Sequence, residues 1–166
     1  MNKIIVAGGC FWGVEAYFAQ LKGVISTRVG YIDGNKPHPT YEEVCDGRAT
    51  HAEAVEIHYD ALSLETILDH YFRIIDPTSL NKQGNDRGVQ YRTAIYTSNV
   101  ATLQQIAEWI TRKQQEYTQP IVVQLKPESP FYEAEAYHQE YLKKNPNGYC
   151  HIDLGLATTA ERKEGF

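Results

Sequence analysis

The stretch Ala52–Tyr59, with the sequence AEAVEIHY, shows the clearest alternation of side chains in the chain. Its apolar residues Val55, Ile57 and Tyr59 fall on one face, as expected for a β-strand with one face toward the core. Glu53 has the same parity as these residues, so we expect its carboxylate to point inward as well. The strand is therefore predicted to carry an acid into the interior.

Apolar spacing and turn residues predict the other elements on both sides of this strand. Further strands are expected at residues 4–7, 24–29, 91–97 and 121–125. Helices are expected at 11–21, 64–75 and 103–110, with weak helical spacing over 131–143. Glycine and proline residues predict a loop over 30–50, and polar residues predict another over 81–88. We expect no regular structure after residue 145.

The first six predicted elements run βαββαβ, which is the order of ferredoxin-like split βαβ units. We therefore predict an α+β fold with a mainly antiparallel sheet, helices packed on it and a long irregular C-terminal segment. The 166 residues, of which 42% are hydrophobic, suit one compact domain. We expect a single domain over 1–166, with a core over about 1–145 and a tail over 146–166.

The charge balance and the N-terminal sequence limit the classes of function. The net charge of −5 argues against a nucleic-acid-binding surface, which requires clustered Lys and Arg. The apolar run at residues 4–7 is too short for a signal peptide or a membrane span. We expect a cytoplasmic protein that binds neither nucleic acid nor membrane, and a monomer.

The chain has three cysteines, Cys10, Cys45 and Cys150, which is an odd and sparse set for a structural disulfide framework. In a reducing compartment such thiols serve packing, metal binding or redox chemistry. A zinc site assembled from Cys45, Cys150 and histidines is conceivable, but the spacings typical of structural zinc sites do not occur. We therefore predict no metal site, and we interpret Cys45 as a packing residue.

Cys10 follows a predicted strand and two glycines, and it should open a helix. Free N–H groups at a helix start favour negative charge and should lower the pKa of the thiol, which favours the nucleophilic thiolate. The alternative is a small buried residue at a tight turn. The neighbouring Phe11 and Trp12 fit either an apolar pocket for a thioether methyl group or ordinary core packing.

Two further residues suit redox or acid chemistry. Burial of Glu53 would raise the pKa of its carboxyl group and allow it to donate a proton near neutral pH. The alternative is an acid at the strand edge that reaches solvent. Cys150 lies in a segment rich in Gly and Pro, so its thiol could move close enough to react with another sulfur atom. The alternative is an incidental thiol at the surface.

Motifs spread over most of the chain resemble those of the A-class peptide methionine sulfoxide reductases. The resemblance runs from about residue 4 to residue 150, with every motif in the family order. The motifs are Gly9-Cys10-Phe11-Trp12-Gly13, Val29-Gly30-Tyr31, Pro39-Thr40-Tyr41 with Val44-Cys45, His51-Ala52-Glu53-Ala54-Val55, Gln83-Gly84-Asn85-Asp86 with Gln90-Tyr91-Arg92, His138 with Tyr141-Leu142, and Asn147-Gly148-Tyr149-Cys150.

The resemblance implies a role for each matching residue. Cys10 would be the nucleophile, and Glu53 would protonate the sulfoxide oxygen, with Tyr41 and Tyr91 as hydroxyl donors nearby. Cys10 would become a sulfenic acid, which Cys150 would resolve as a disulfide. Since Cys150 is the last cysteine of this chain, the relay should stop at that disulfide.

The resemblance also implies substrates and partners for a single catalytic domain. Phe11 and Trp12 would hold the methyl group of the substrate, and Asp86 would position the site. The substrates would be methionine S-sulfoxide in oxidised proteins and the free amino acid, and thioredoxin would reduce the disulfide. No metal, flavin or nucleotide cofactor is expected.

Three competing functions remain open at this point. A thiol peroxidase would pass through the same sulfenic and disulfide steps after attack on a peroxide. A non-enzymatic module would recognise methionine through Phe11, Trp12 and the tyrosines without turnover. A zinc-binding protein would hold the metal in stoichiometric amount.

Overall fold

In the computed structural model, which describes residues 2–166, eight strands and five α-helices follow one another along the chain. The strands are β1 (Asn2–Gly8), β2 (Val24–Ile32), β3 (Ala52–Tyr59), β4 (Lys82–Gln83), β5 (Asp86–Arg87), β6 (Thr93–Tyr96), β7 (Gln124–Lys126) and β8 (Phe131–Glu133). The helices are α1 (Phe11–Ala19), α2 (Tyr41–Asp46), α3 (Leu64–Ile74), α4 (Val100–Lys113) and α5 (Tyr141–Lys144). Over residues 2–166, none of the helices has both the length and the apolar character of a membrane span.

Six of the strands form one sheet in the order β7-β6-β1-β3-β2-β8. The pairs β6–β1, β1–β3, β3–β2 and β2–β8 are antiparallel, and β7 joins the edge in parallel with β6. Strands β4 and β5 form a separate short hairpin. The mainly antiparallel sheet with packed helices confirms the predicted α+β class.

The period-2 alternation of β1 and β3 separates a large core from a small one. Ile4, Val6, Val55 and Ile57 belong to the larger cluster, which also contains the apolar faces of α1 and α3. The intervening residues of the same strands face a smaller cluster, in which alanine is the commonest residue. Glu53 is only 1% exposed, so its predicted inward direction is confirmed.

Helix α2 lies within residues 30–50, where we predicted only a loop. A capping box starts the helix, because the Thr40 hydroxyl accepts from the Glu43 N–H and the Glu43 carboxylate accepts from the Thr40 N–H. Gly47 ends it with a left-handed φ of 85°. The prediction was wrong here because the surrounding glycines and prolines indicated a loop. The capping side chains of Thr40 and Glu43 nevertheless stabilise a short helix. Strand β2 also extends to Ile32, into the same predicted loop.

Residues 131–143, predicted as weakly helical, begin instead with strand β8. Pairing with β2 decides this conformation, since Gly30 lies opposite Glu133 and Ile32 lies opposite Phe131. A Cβ atom at Gly30 would lie 2.4 Å from the Tyr132 carbonyl oxygen, so the close approach of the two strands requires glycine there. Only the last part of the predicted helix forms, as the single turn α5.

After residue 145, the described chain contains two short 3₁₀ turns, at Leu154–Leu156 and Thr159–Glu161, and an isolated antiparallel bridge between Arg162 and Leu21. The Gln20 side chain donates to the Leu154 carbonyl oxygen at 2.9 Å, and the Lys163 N–H donates to the Gln20 carbonyl oxygen at 2.8 Å. The irregular tail is therefore bound along the end of α1, close to the start of the chain.

Candidate active site

Cys10 lies at the junction between β1 and α1, as the order strand, two glycines, helix predicts. Gly9 adopts a φ of 93°, and a Cβ atom there would lie 2.7 Å from Nε2 of His151. Glycine is therefore required both by the turn and by the side chain packed over it. Cys10 is the N-cap residue of α1 and is 6% exposed, so its thiol lies just beneath the surface.

The protonation of Cys10 differs from the prediction of a lowered thiol pKa. Burial raises the pKa of Cys10, and the negative charge of an ionised Glu53 raises it further. The Trp12 N–H at the helix start lowers the pKa, as predicted, but desolvation outweighs it. Cys10 is therefore a thiol in the substrate-free protein.

Glu53 of β3 forms the second part of the site. Its Oε1 atom accepts the Phe11 N–H at 3.2 Å, while Oε2 is buried with no hydrogen-bond partner among the described residues. Burial raises the pKa of Glu53 to about 8, and the charge of Asp86 contributes in the same direction. The carboxyl group is therefore protonated at neutral pH, with a free oxygen beside Cys10.

Two tyrosines predicted for the site lie close enough to Glu53 to sense its charge. Tyr41 is the first residue of α2, and Tyr91 ends the 3₁₀ turn Val89–Tyr91. Burial raises the pKa of both hydroxyl groups, and the charge of Glu53 raises each further. Both groups are therefore protonated donors throughout the physiological pH range.

Trp12 contributes a partly exposed aromatic surface next to Cys10. Its ring stacks on Tyr141 with 3.9 Å between the centroids and 12° between the planes. Its Nε1–H donates to Nδ1 of His138 at 2.9 Å, which fixes the orientation of the indole. Phe11, by contrast, is fully buried, with the rings of Tyr41 and His138 around it.

His138 and Tyr141 had been assigned no role from the sequence. Their positions on a short 3₁₀ turn and on α5 are set by packing against Trp12, which is far away in the chain. No local pattern reveals such a contact, and their place in a resembling motif was the only signal. Because both touch Trp12, they belong to the aromatic wall of the site.

Asp86 lies in the β4–β5 hairpin and is tied to the C-terminal tail. The Tyr149 hydroxyl donates to Oδ2 of Asp86 at 2.9 Å. The hairpin itself is fixed by Gln83, whose side chain accepts from the Asp76 N–H and donates to the Asp76 carbonyl oxygen. Asp86 therefore joins the hairpin to the segment that carries Cys150.

Cys150 lies against the first turn of α1. A Cβ atom on Gly13 would lie 3.2 Å from the Cys150 sulfur, and Gly13 follows Cys10 by three positions on the helix. The charge of a Cys150 thiolate raises the pKa of Cys10, which also reflects this proximity. Burial raises the pKa of Cys150, whose thiol donates to the Ile152 carbonyl oxygen at 3.2 Å.

Two expectations concern groups outside this cluster of thiols and acids. Cys45 is exposed on α2, so the packing role we inferred for it is wrong. Burial raises the pKa of its thiol, and the nearby Tyr41 hydroxyl acts in the opposite direction. Among residues 2–166, no three His, Cys, Asp or Glu side chains are grouped as a metal site would require.

Comparison with known proteins gives consistent matches over the whole chain. A family model described as peptide methionine sulfoxide reductase matches residues 2–166. The chain is 54% identical over 156 residues to the peptide methionine sulfoxide reductase MsrA of Clostridium botulinum (strain Okra / Type B1), covering 93% of this chain and 99% of that one.

Solved structures share the fold. Reduced Mxr1 from Saccharomyces cerevisiae aligns with a TM-score of 0.86 at 34% identity, covering 92% of this chain and 91% of that one. Mxr1 in complex with Trx2 aligns with a TM-score of 0.60 at 24% identity, covering 84% of each chain. This second likeness concerns the fold alone.

Proposed function

The chain belongs to the peptide methionine sulfoxide reductase family, and on that premise we propose how its residues carry out the reaction. The substrates are methionine S-sulfoxide residues in oxidised proteins and the free amino acid, and the product is methionine. One observation carries the proposal. A buried and protonated carboxyl group, Glu53, holds an unpartnered oxygen beside the thiol of Cys10.

Binding of the substrate uses the aromatic wall. The methyl group packs on Trp12, whose indole is held by His138 and Tyr141. Phe11 supports this wall from beneath and holds Glu53 through its backbone N–H. The sulfoxide oxygen then points to Glu53, Tyr41 and Tyr91.

The first chemical step joins acid catalysis to nucleophilic attack. As the Cys10 sulfur attacks the sulfoxide sulfur, Glu53 gives its proton to the sulfoxide oxygen, and the carboxylate takes the proton of the thiol. The sulfur–oxygen bond of the substrate and the transient sulfur–sulfur bond then break as the hydroxyl group is transferred to the Cys10 sulfur. The products are methionine and the sulfenic acid of Cys10, so Glu53 is regenerated in its protonated form.

Donors around the oxygen are needed because a sulfoxide sulfur is a poor electrophile until charge on its oxygen is stabilised. Tyr41 and Tyr91 donate hydrogen bonds to that oxygen without losing their protons, since burial raises the pKa of both. Such preorganised donors commonly supply a large part of catalysis. Asp86 positions the hairpin and, through Tyr149, the tail.

The second chemical step regenerates the enzyme. The Cys150 thiol attacks the sulfenic sulfur of Cys10, water leaves, and a disulfide forms. Thioredoxin reduces this disulfide by thiol–disulfide exchange, and no prosthetic group takes part. Yeast Mxr1, whose reduced form is 34% identical to this chain, has been solved in complex with Trx2, and this supports the same kind of partner here. The partly exposed position of Cys150 also supports it.

The test is a stereochemically resolved sulfoxide assay in which thiols are counted before and after one turnover without reductant. We expect methionine from the S epimer alone, with the loss of two thiols for each methionine formed. Turnover of hydrogen peroxide in place of the sulfoxide would favour the thiol peroxidase instead. Binding of sulfoxide without methionine formation would favour the recognition module.

Cys150→Ser is expected to leave one turnover and to block recycling by thioredoxin, because the sulfenic acid then has no resolving thiol. The measurement is methionine released per enzyme, with thioredoxin and with dithiothreitol as alternative reductants. Dithiothreitol reduces the sulfenic acid directly and serves as the control for an intact first step. Normal cycling of the variant with thioredoxin would overturn the resolving role.

Gly13→Ala is expected to slow disulfide formation while the helix stays intact. The added Cβ atom would lie 3.2 Å from the Cys150 sulfur and 3.3 Å from Nδ1 of His151, so the tail must move. Misplacement by about 1 Å can cost up to ~10²-fold in rate, whereas Ala favours a helix over Gly by about 1 kcal/mol. Thiol loss after one turnover measures the first effect, and the unfolding temperature measures the second. Disulfide formation at the wild-type rate would contradict the close approach.

We also infer that the central strands form a ferredoxin-like unit. The order β6-β1-β3-β2 with alternating helices supports this assignment. We propose one catalytic domain over 1–166, in which the core over about 1–145 supplies Cys10 and Glu53 and the tail over 146–166 supplies Cys150. The cytoplasmic location and the monomeric state stay predictions.

A further inference from the structure

His151, the residue after Cys150, has a fixed protonation pattern. Its Nε2 atom lies 3.1 Å from the Gly8 carbonyl oxygen, and a carbonyl oxygen only accepts. Nε2 therefore carries the proton of the neutral ring, and Nδ1 presents a lone pair. The Nδ1 atom is buried and has no hydrogen-bond partner among the described residues. An unpartnered buried acceptor requires an explanation.

Nδ1 of His151 and the Cys150 sulfur both pack against Gly13 of α1. Both atoms approach the Cβ position of Gly13, the sulfur at 3.2 Å and Nδ1 at 3.3 Å. In the resting protein the Cys150 thiol donates to the Ile152 carbonyl oxygen instead. For proton transfer to Nδ1, the thiol hydrogen must first rotate away from the Ile152 carbonyl oxygen.

Formation of the disulfide needs a base close to the Cys150 sulfur that can remove the proton of its thiol. Burial raises the pKa of Cys150, so its sulfur is a protonated thiol at neutral pH and a weak nucleophile. The oxygen that leaves Cys10 also needs a proton, because hydroxide is a poorer leaving group than water. One group that accepts the first proton and donates the second meets both needs.

We propose that His151 is the general base and acid of the resolving step, an inference that rests on the proposed function of Cys10 and Cys150. Nδ1 takes the proton of the Cys150 thiol while the sulfur attacks the sulfenic sulfur of Cys10. The new sulfur–sulfur bond forms, the sulfur–oxygen bond of Cys10 breaks, and the departing oxygen takes the proton and leaves as water. Cys150 is oxidised, Cys10 is reduced from sulfenic acid to disulfide, and His151 ends neutral.

The surroundings of His151 suit a neutral base. Burial lowers the pKa of His151, while the hydrogen bond to Gly8 and the negative charge of Asp86 act in the opposite direction. Gln83, which also packs near this junction, carries no charge. The ionisable groups around the two thiols also include Glu53 and Tyr149, both of which are protonated at neutral pH. The ring is therefore ready to accept a proton at neutral pH, and Asp86 stabilises the imidazolium that forms transiently.

His151→Gln tests the proposal, because glutamine can still donate to the Gly8 carbonyl oxygen but has no basic nitrogen. One equivalent of sulfoxide is mixed with enzyme without reductant, and methionine and remaining thiols are followed separately. We expect the rate constant of disulfide formation, relative to that of methionine formation, to fall by about 10²-fold or more. His58→Gln, the same change at the far end of β3 from Glu53, should leave this ratio unchanged.

The pH dependence of disulfide formation distinguishes a base from a structural residue. In the wild-type enzyme the rate should be nearly constant from pH 7 to pH 8, since the imidazole is already neutral. In His151→Gln it should rise about tenfold for each pH unit, because only the Cys150 thiolate then attacks.

Two results would overturn the proposal. They are an unchanged ratio in His151→Gln, even if both steps slow equally, and a tenfold rise per pH unit in the wild-type enzyme itself. The pH dependence is measured on the wild-type enzyme, so the proposal can be refuted even if His151→Gln does not fold. Absence of methionine in the wild-type reaction would instead refute the proposed function.

Discussion

Cys10→Ser is expected to abolish the formation of methionine from methionine S-sulfoxide, including the first turnover. The serine hydroxyl has no accessible anion at neutral pH, and its oxygen cannot accept the transferred hydroxyl group as sulfur does. Serine is also a favoured N-cap residue, so the start of α1 should be retained. The measurement is methionine released from a sulfoxide peptide, with dithiothreitol as reductant so that recycling does not limit the rate.

Cys45→Ser is the matched control for this variant. Cys45 is exposed on α2, so serine can replace it without disturbing the core. We therefore expect Cys45→Ser to form methionine at close to the wild-type rate. Methionine formation by Cys10→Ser at a comparable rate would remove Cys10 from the reaction.

The strand that carries Glu53 was predictable because its signal is local. Alternation along Ala52–Tyr59 depends only on which face of the strand meets the core, and the buried position of Glu53 follows from parity alone. The position of Cys10 at a strand-to-helix turn was predictable for the same reason, since Gly8 and Gly9 lie next to it. These two residues form the centre of the candidate site.

Features that depend on distant contacts were not predictable in this way. Strand β8 exists because Gly30 allows the close approach of β2, a partner about a hundred residues earlier. Likewise, the packing of Cys150 and His151 against Gly13 brings the C-terminal segment into contact with the first helix. The sequence around a glycine in a helix does not indicate which distant side chains pack against it.

The thiol pKa shows how a correct local rule is outweighed by its surroundings. The N–H groups at the start of α1 do lower the pKa of Cys10, but burial and the nearby Glu53 raise it more. How deeply a side chain is buried depends on distant parts of the chain and cannot be predicted from the residues next to it. The sequence therefore predicts the nucleophile, and the raised pKa of Cys10 is the reason why we propose an acid–base partner for it.

Glu53→Gln is expected to slow methionine formation by roughly 10²–10⁴-fold, the usual cost of lost acid catalysis. The glutamine oxygen still accepts the Phe11 N–H, but its amide cannot transfer a proton to the sulfoxide oxygen. Because the pKa of Glu53 is about 8, wild-type activity should decline as the pH rises through 8, and the variant should lack this decline. Single-turnover rates measured from pH 6 to pH 9 test both statements.

Stability separates this loss of chemistry from a loss of folding. The pKa of Glu53 is about 8 in the folded protein and about 4.3 in an unfolded chain, so the unfolded state loses its proton first as the pH rises. Glu53 therefore makes the protein progressively less stable between these two values, and glutamine avoids this cost. The unfolding temperature of Glu53→Gln should exceed that of the wild type at pH 8, by a margin that shrinks toward pH 5. A slow variant that is also less stable at pH 8 would mean that Glu53 supports the fold and not the proton transfer.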